Sequence, residues 1–246
     1  MEDNPSQTVS AMQDNPINIL STRPLQDEWV AEAKAMGIII DQLSFIETEP
    51  IVSIEVQQEV EQALILSATV VFTSMNAAAA VANWMDGQQP DWKIYCIGFA
   101  TKELVKNSFG EESIAGTASS AAELAAVMIE NGQTDEVIFF CGDQRRDELP
   151  EILCSNGIEV NEINVYQTIT MPHHIKKKYA GILFFSPGAV QSFFSVNKIN
   201  SETILFAIGN TTANEIKKYS KNKILISDQP GKENLLRKMM EYFGDS

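Results

Sequence analysis

The chain repeats itself at a spacing of 111 to 112 residues. Phe72-Thr-Ser74-Met-Asn-Ala returns as Phe184-Phe-Ser186-Pro-Gly-Ala, and Ile97-Gly98-Phe-Ala-Thr101 returns as Ile208-Gly209-Asn-Thr-Thr212. Glu123-Leu124 sits in one helical pattern as Asn234-Leu235 sits in another. Three different motifs at one offset call for two similar structural units. The length of 246 residues is enough for two domains of that size.

Each unit reads as short apolar runs alternating with helical periodicity. Strands are expected at 17–21, 38–43, 69–73, 93–97, 137–141, 181–185, 204–208 and 223–226. Between them, apolar residues recur at i, i+3 and i+4 over 29–36, 56–66, 78–85, 104–109, 121–129, 149–153, 190–196, 213–219 and 235–243. Strands that alternate with helices form parallel sheets covered on both faces. The unbroken run Val137-Ile-Phe-Phe-Cys141 fits a strand buried on both sides. The fold expected is α/β: two flavodoxin-like domains, parallel sheets with helices on both faces, one of them discontinuous. Residues 17–43 and 172–246 form domain 1, and 53–160 form domain 2. Segments 44–52 and 161–171, with alternating apolar and polar residues, form a linker of two antiparallel strands. Residues 1–16, polar and without periodicity, are expected to be a disordered tail.

Composition narrows the function. Eighteen basic against 33 acidic side chains give a net charge of −15, which argues against a nucleic-acid surface. The charge is uneven: 173–246 carry 11 basic and 6 acidic groups, a basic stretch that can favour an anionic ligand. The longest apolar run, Ala77 to Ala82, is far short of the ~20 residues of a membrane span. The N-terminus has acids where a signal peptide has bases, so a cytoplasmic protein is expected. Cys96 and Cys141 lie in apolar runs and are expected as buried free thiols. No apolar stripe marks an oligomer interface, so a monomer is expected.

In open parallel sheets ligands bind beyond the carboxyl ends of the strands. The loops there read Ser21-Thr22-Arg23-Pro24, Thr73-Ser74-Met75-Asn76, Gly98-Phe99-Ala100-Thr101, Cys141-Gly142-Asp143-Gln144-Arg145, Ser186-Pro187-Gly188 and Gly209-Asn210-Thr211-Thr212. Each carries a residue that caps helices well, and a cap stabilises by about 1 kcal/mol wherever it sits. Six such helix starts also present free amides that bind carboxylates or phosphates. No Cys or His spacing suits a metal, and neither GxGxxG nor GxxxxGK[ST] occurs, so no cofactor or metal is expected. The two histidines, His173 and His174, are adjacent and read as surface residues. Tyr166, in the second crossing strand, is the candidate proton donor and is placed to face a cleft between the domains. A phenol is protonated at neutral pH and acts as a weak general acid. A tyrosine packed on the linker with its hydroxyl in water fits the same pattern.

These motifs, with Arg145-Arg-Asp-Glu-Leu149-Pro, Val165-Tyr166-Gln-Thr168 and Phe185-Ser186-Pro187-Gly-Ala-Val190, resemble the uroporphyrinogen-III synthase family from about Ile17 to the C-terminus. The resemblance implies two flavodoxin-like domains on a two-stranded linker. It also implies a cofactor-free lyase of haem biosynthesis that closes the linear tetrapyrrole hydroxymethylbilane into uroporphyrinogen III, inverting the last ring. Tyr166 matches the tyrosine thought to assist departure of the hydroxyl. Thr73, Ser74, Asn76, Thr101, Ser186, Thr211 and Thr212 match substrate-contacting positions. Gly142 and Gly188 would offer loop amides, Gly188 replacing a more usual serine. Arg23 and Arg145 are expected to pair with carboxylates. The alternatives are a non-catalytic bilobed small-anion binder and a degenerate synthase relative with a regulatory role.

Overall fold

The structure is a computed structural model that describes residues 16–132, 134–229 and 231–244. The tail expectation lies outside the described residues apart from Pro16. In chain order the elements are β1 (Ile17–Ser21), α1 (Asp27–Ala35), β2 (Ile38–Gln42), β3 (Ile46–Pro50), α2 (Ile54–Leu64), β4 (Ala68–Phe72), α3 (Met75–Ala82), β5 (Trp92–Ile97) and α4 (Phe99–Phe109). They continue as β6 (Ile114–Ala118), α5 (Ala121–Asn131), β7 (Glu136–Gly142), α6 (Glu148–Ser155), β8 (Glu159–Thr170), β9 (Gly181–Phe184), α7 (Pro187–Val196), β10 (Ile204–Ala207), α8 (Asn210–Lys217), β11 (Ile224–Ile226) and α9 (Lys232–Gly244).

The contacts divide the chain into two units. Unit 1 is the chain up to Glu47 together with Thr170 onward, and unit 2 is Thr48–Ile169. The unit 1 sheet runs β11-β10-β9-β1-β2, parallel throughout. That is the doubly wound order 2-1-3-4-5. The other sheet runs β3-β8-β7-β4-β5-β6. Its five parallel strands take the same order once β7 is counted first and β8 second. The second unit is therefore a circular rearrangement of the first, and the repeat in the sequence covers only the part that both present in the same chain order.

Alternation along each strand sends side chains to two separate cores. In unit 2, Val70, Phe72, Ile94, Cys96, Ile138 and Phe140 face one side, while Val71, Tyr95, Val137, Phe139 and Cys141 face the other. In unit 1, Ile19, Leu183 and Phe206 oppose Leu20, Phe184 and Leu205. Each of these large side chains contributes roughly 1.5–3 kcal/mol by burial. Phe72 stacks on Phe140 at 5.5 Å between ring centres, with Trp92 5.6 Å from Phe140.

Two expectations change. Ile114–Ala118 is a strand that the periodicity did not mark. It is a weakly apolar edge strand, and Gly116 there leaves room for the Tyr95 ring. Second, 161–171 is not a separate crossing segment. β8 is one continuous strand, parallel to β7 over its first part. Its later part meets β3 antiparallel: Ile51 N–H donates to Val165 O, and Met171 N–H to Phe45 O. His173, expected at the surface, is half-buried, with Nε2 3.0 Å from the Ser44 carbonyl and its ring edge-on to Phe45. Cys96 and Cys141 are buried free thiols, and Cys154 is exposed.

Candidate functional site

The expected site residues fall at the carboxyl ends of the parallel strands in each unit. In unit 1 these are Thr22 and Arg23 after β1, Ser186 and Gly188 after β9, and Thr211 and Thr212 after β10. In unit 2 they are Thr73, Ser74 and Asn76 after β4, Thr101 after β5, and Gly142 with Arg145 at the end of β7. Tyr166 lies on β8, opposite Gly142.

Ser74 and Ser186 cap α3 and α7. Each hydroxyl accepts an N–H at 3.2 Å, from Ala77 and Ala189. That satisfies one amide of the first turn and leaves its neighbours free to receive an anion. Gly98 and Gly209 cap α4 and α8 without a side chain. The other two loops do not cap as expected. The residues before α1 and α6 are Gln26 and Asp147, and neither side chain makes a capping bond. Thr22 instead is buried and ties β1 to β9, its hydroxyl donating to Leu183 O at 2.8 Å.

Exposure separates the hydroxyls. Asn76 and Thr211 are exposed, and Thr73, Ser74 and Ser186 are half-buried. Thr101 and Thr212, third positions in α4 and α8, are 6% and 3% exposed. Both threonine side chains are buried at their helix starts, unlike the exposed Asn76 and Thr211. Gly188 is buried in the first turn of α7.

Tyr166 is half-buried against the core face that holds Phe72 and Phe140. A register shift between Cys141 and Gly142 brings Tyr166 opposite Gly142. Asp143 N–H donates to Tyr166 O at 3.2 Å, and Thr168 N–H donates to Asp143 Oδ1 at 2.9 Å. A Cβ on Gly142 would stand 2.3 Å from Cζ of the Tyr166 ring. The absence of a side chain at 142 is what lets the ring lie there. Among the described residues the phenol oxygen has no hydrogen-bond partner.

The two arginines differ. Arg145 is held by carboxylates of its own unit, through Nε to Glu162 and through an Nη to Asp147. It was expected to receive substrate carboxylates, and in this structure its fork is already engaged. Burial, with Glu162 second, pushes the Cys141 thiol up to about 11, and its Sγ donates to Asn164 Oδ1 at 3.3 Å. Arg23 is exposed. Burial first, and then the positive charge of Arg23, hold the Lys232 ammonium below its ordinary range. Among the described residues neither Arg23 nor Lys232 pairs with a carboxylate. Lys232 opens α9 and escaped sequence reasoning, since a first-turn lysine carries no motif.

Of the exposed large apolar side chains of unit 2, Met75 (46% exposed) and Phe99 (80%) are the two that follow the carboxyl ends of β4 and β5, and sequence reasoning passed over them. A cavity of about 440 Å³ lies elsewhere, at the amino ends of β4, β5 and β7 beside Ser67, Asp91 and Lys93. No cluster of metal-binding side chains occurs among the described residues.

Both units are doubly wound α/β sheets with helix-start amides and hydroxyls at the carboxyl ends of their strands. The sequence profile of uroporphyrinogen-III synthase (HemD) matches residues 27–237. The chain belongs to that family, whose members are lyases of tetrapyrrole biosynthesis. Solved structures agree on the fold. A uroporphyrinogen-III synthetase from Helicobacter pylori superimposes with a TM-score of 0.66 at 15% identity, covering 92% of this chain and 99% of that one. A mutant uroporphyrinogen III synthase from the extremely thermophilic bacterium Thermus thermophilus gives 0.61 at 12% identity, covering 94% of this chain and all of that one. No helix among the described residues is long and apolar enough to cross a membrane.

Proposed function

We propose that this chain cyclises hydroxymethylbilane to uroporphyrinogen III, with loss of water and inversion of the terminal pyrrole ring. The observation that carries the reading is the family match over residues 27–237. The substrate, as the family resemblance implies, is a linear tetrapyrrole with eight carboxylates. In this reading the first-turn amides of α3, α4, α7 and α8 and the Arg23–Lys232 pair receive carboxylates, because oriented N–H groups and unpaired cations favour anions whatever the net charge.

Tyr166 donates its phenol proton to the departing hydroxyl, which leaves as water. The resulting azafulvene cation is attacked by the substituted carbon of the last ring, giving a spiro intermediate. That intermediate fragments and recloses with the ring inverted, and the proton released on rearomatisation returns to the phenolate. Closure without the enzyme gives the type I isomer, so the protein acts by holding the chain where the spiro route wins. Arg145 takes a positioning role here, fixing the turn after β7 through Asp147 and Glu162. The reading takes the protein as a cytoplasmic monomer, which the two buried free thiols and size-exclusion chromatography respectively support and test.

The deciding experiment incubates the protein with fresh hydroxymethylbilane and separates the isomers. Type III product is expected. Type I alone refutes the reading and leaves the non-catalytic relative.

A further inference from the structure

We propose that Phe99 and Met75 form an apolar shelf on which a pyrrole ring of the substrate rests. The inference deepens the function proposed above and rests on it. β4 and β5 are hydrogen-bonded neighbours with Phe72 opposite Cys96. Met75 and Phe99 each stand three residues beyond that pair, as first residues of α3 and α4. Neighbouring strands lie about 4.8 Å apart, so the two residues start from adjacent points at the carboxyl end of the sheet.

Nothing in the fold demands apolar residues there. Phe99 is 80% exposed and Met75 46%, so little of their surface stabilises unit 2. The repeat supplies an internal control. The position matching Phe99, directly after Gly209, is Asn210, and the one matching Met75, directly after Ser186, is Pro187. Unit 1 builds the same strand–turn–helix joints without an exposed aromatic ring or thioether. The joint itself is also special in unit 2. Gly98 turns at φ +79, whereas Gly209 is extended at −176. Gly98 N–H is tied to Ala118 O at 3.0 Å, so Phe99 leaves a fixed backbone.

The chemistry fits one ligand part. A tetrapyrrole offers carboxylates at ring edges and flat, electron-rich ring faces between them. First-turn amides of α3 and α4 serve the edges, and a phenyl face with a polarisable thioether beside it serves a ring face. Carboxylate contacts alone do not fix ring orientation, and ring orientation separates the two isomers.

The test compares wild type with Phe99→Asn, the residue of the other unit, and Phe99→Tyr, which keeps the ring. Phe99→Asn is expected to fold with an unchanged urea midpoint, to raise KM about tenfold with kcat within a factor of three, and to release more type I isomer. Phe99→Tyr should restore KM. An unchanged KM and isomer ratio in Phe99→Asn, or a raised KM that Phe99→Tyr leaves raised, overturns the shelf while wild type still makes type III. Wild type that makes only type I overturns the proposed function, and the shelf with it.

Discussion

Replacing Gly142 by alanine puts one methyl group where the Tyr166 ring already lies. The added Cβ meets Cζ at 2.3 Å, Cε2 at 2.5 Å and Cε1 at 2.8 Å. Ordinary contact begins near 3.4 Å, so the ring must retreat by about 1.1 Å. Neither side yields easily. Gly142 is paired to β8, and the ring packs on the core that holds Phe72 and Phe140. Overpacking of this kind costs about 1–3 kcal/mol. With a urea slope of roughly 2 kcal/mol per molar, the unfolding midpoint should fall by about 0.5–1.5 M. A displacement of that size at a reacting group lowers turnover by about 10²-fold. The assay pairs urea unfolding with the isomer-resolved turnover of hydroxymethylbilane. A Gly142→Ala/Tyr166→Leu double variant should recover the lost stability but not the turnover, because the clash is gone and the phenol is gone with it. A Gly142→Ala protein with wild-type midpoint and turnover would refute the reasoning.

Tyr166→Phe keeps the ring and removes the proton donor; the fold should persist, and kcat should fall about 10²-fold in a stopped assay of type III product. Thiol labelling of the native protein at pH 8 should modify only Cys154, with Cys96 and Cys141 reacting after denaturation, since burial raises both their pKa values. Acid unfolding should sense Asp41. Its hydrogen bond to Lys177, and then that to Tyr179, hold its carboxyl below the ordinary 3.8 against a raising effect of burial, so its stabilisation is present above that value and fades as pH falls through the lower folded value. Asp41→Asn should lower stability near neutral pH and shrink the difference from wild type below pH 3.8; a gap of constant size from neutral to acid would contradict this.

The alternation of strands and helices was legible because central parallel strands are apolar on both faces, as in β7 and β9. The edge strand β6 was not, since Ile-Ala-Gly-Thr-Ala has little apolar surface and Gly116 is there to admit a ring from β5. The extent of β8 was hidden because its pattern changes where its neighbours change. At the site, the strand-end hydroxyls were legible as local motifs. The engagement of Arg145 was not, because one of its partners, Glu162, arrives from the next strand. Gly142 was read for its amide, and its contact with Tyr166 depends on a register shift that no local pattern announces. Phe99 could have been found by asking why the repeat has Asn210 in its place.

The order in which the ribosome delivers the strands has its own consequence. β1 pairs with β2 at once, but its other neighbour, β9, begins at Gly181. Unit 2, about 120 residues, is synthesised in between. From Ser21 to Gly181 is 160 residues, so at 5–20 residues per second the first strand waits roughly 8–32 s for its partner. Unit 2 therefore completes its sheet on the nascent chain first. Throughout that interval β1 presents one unpaired edge, a template for mispairing of the kind chaperones shield.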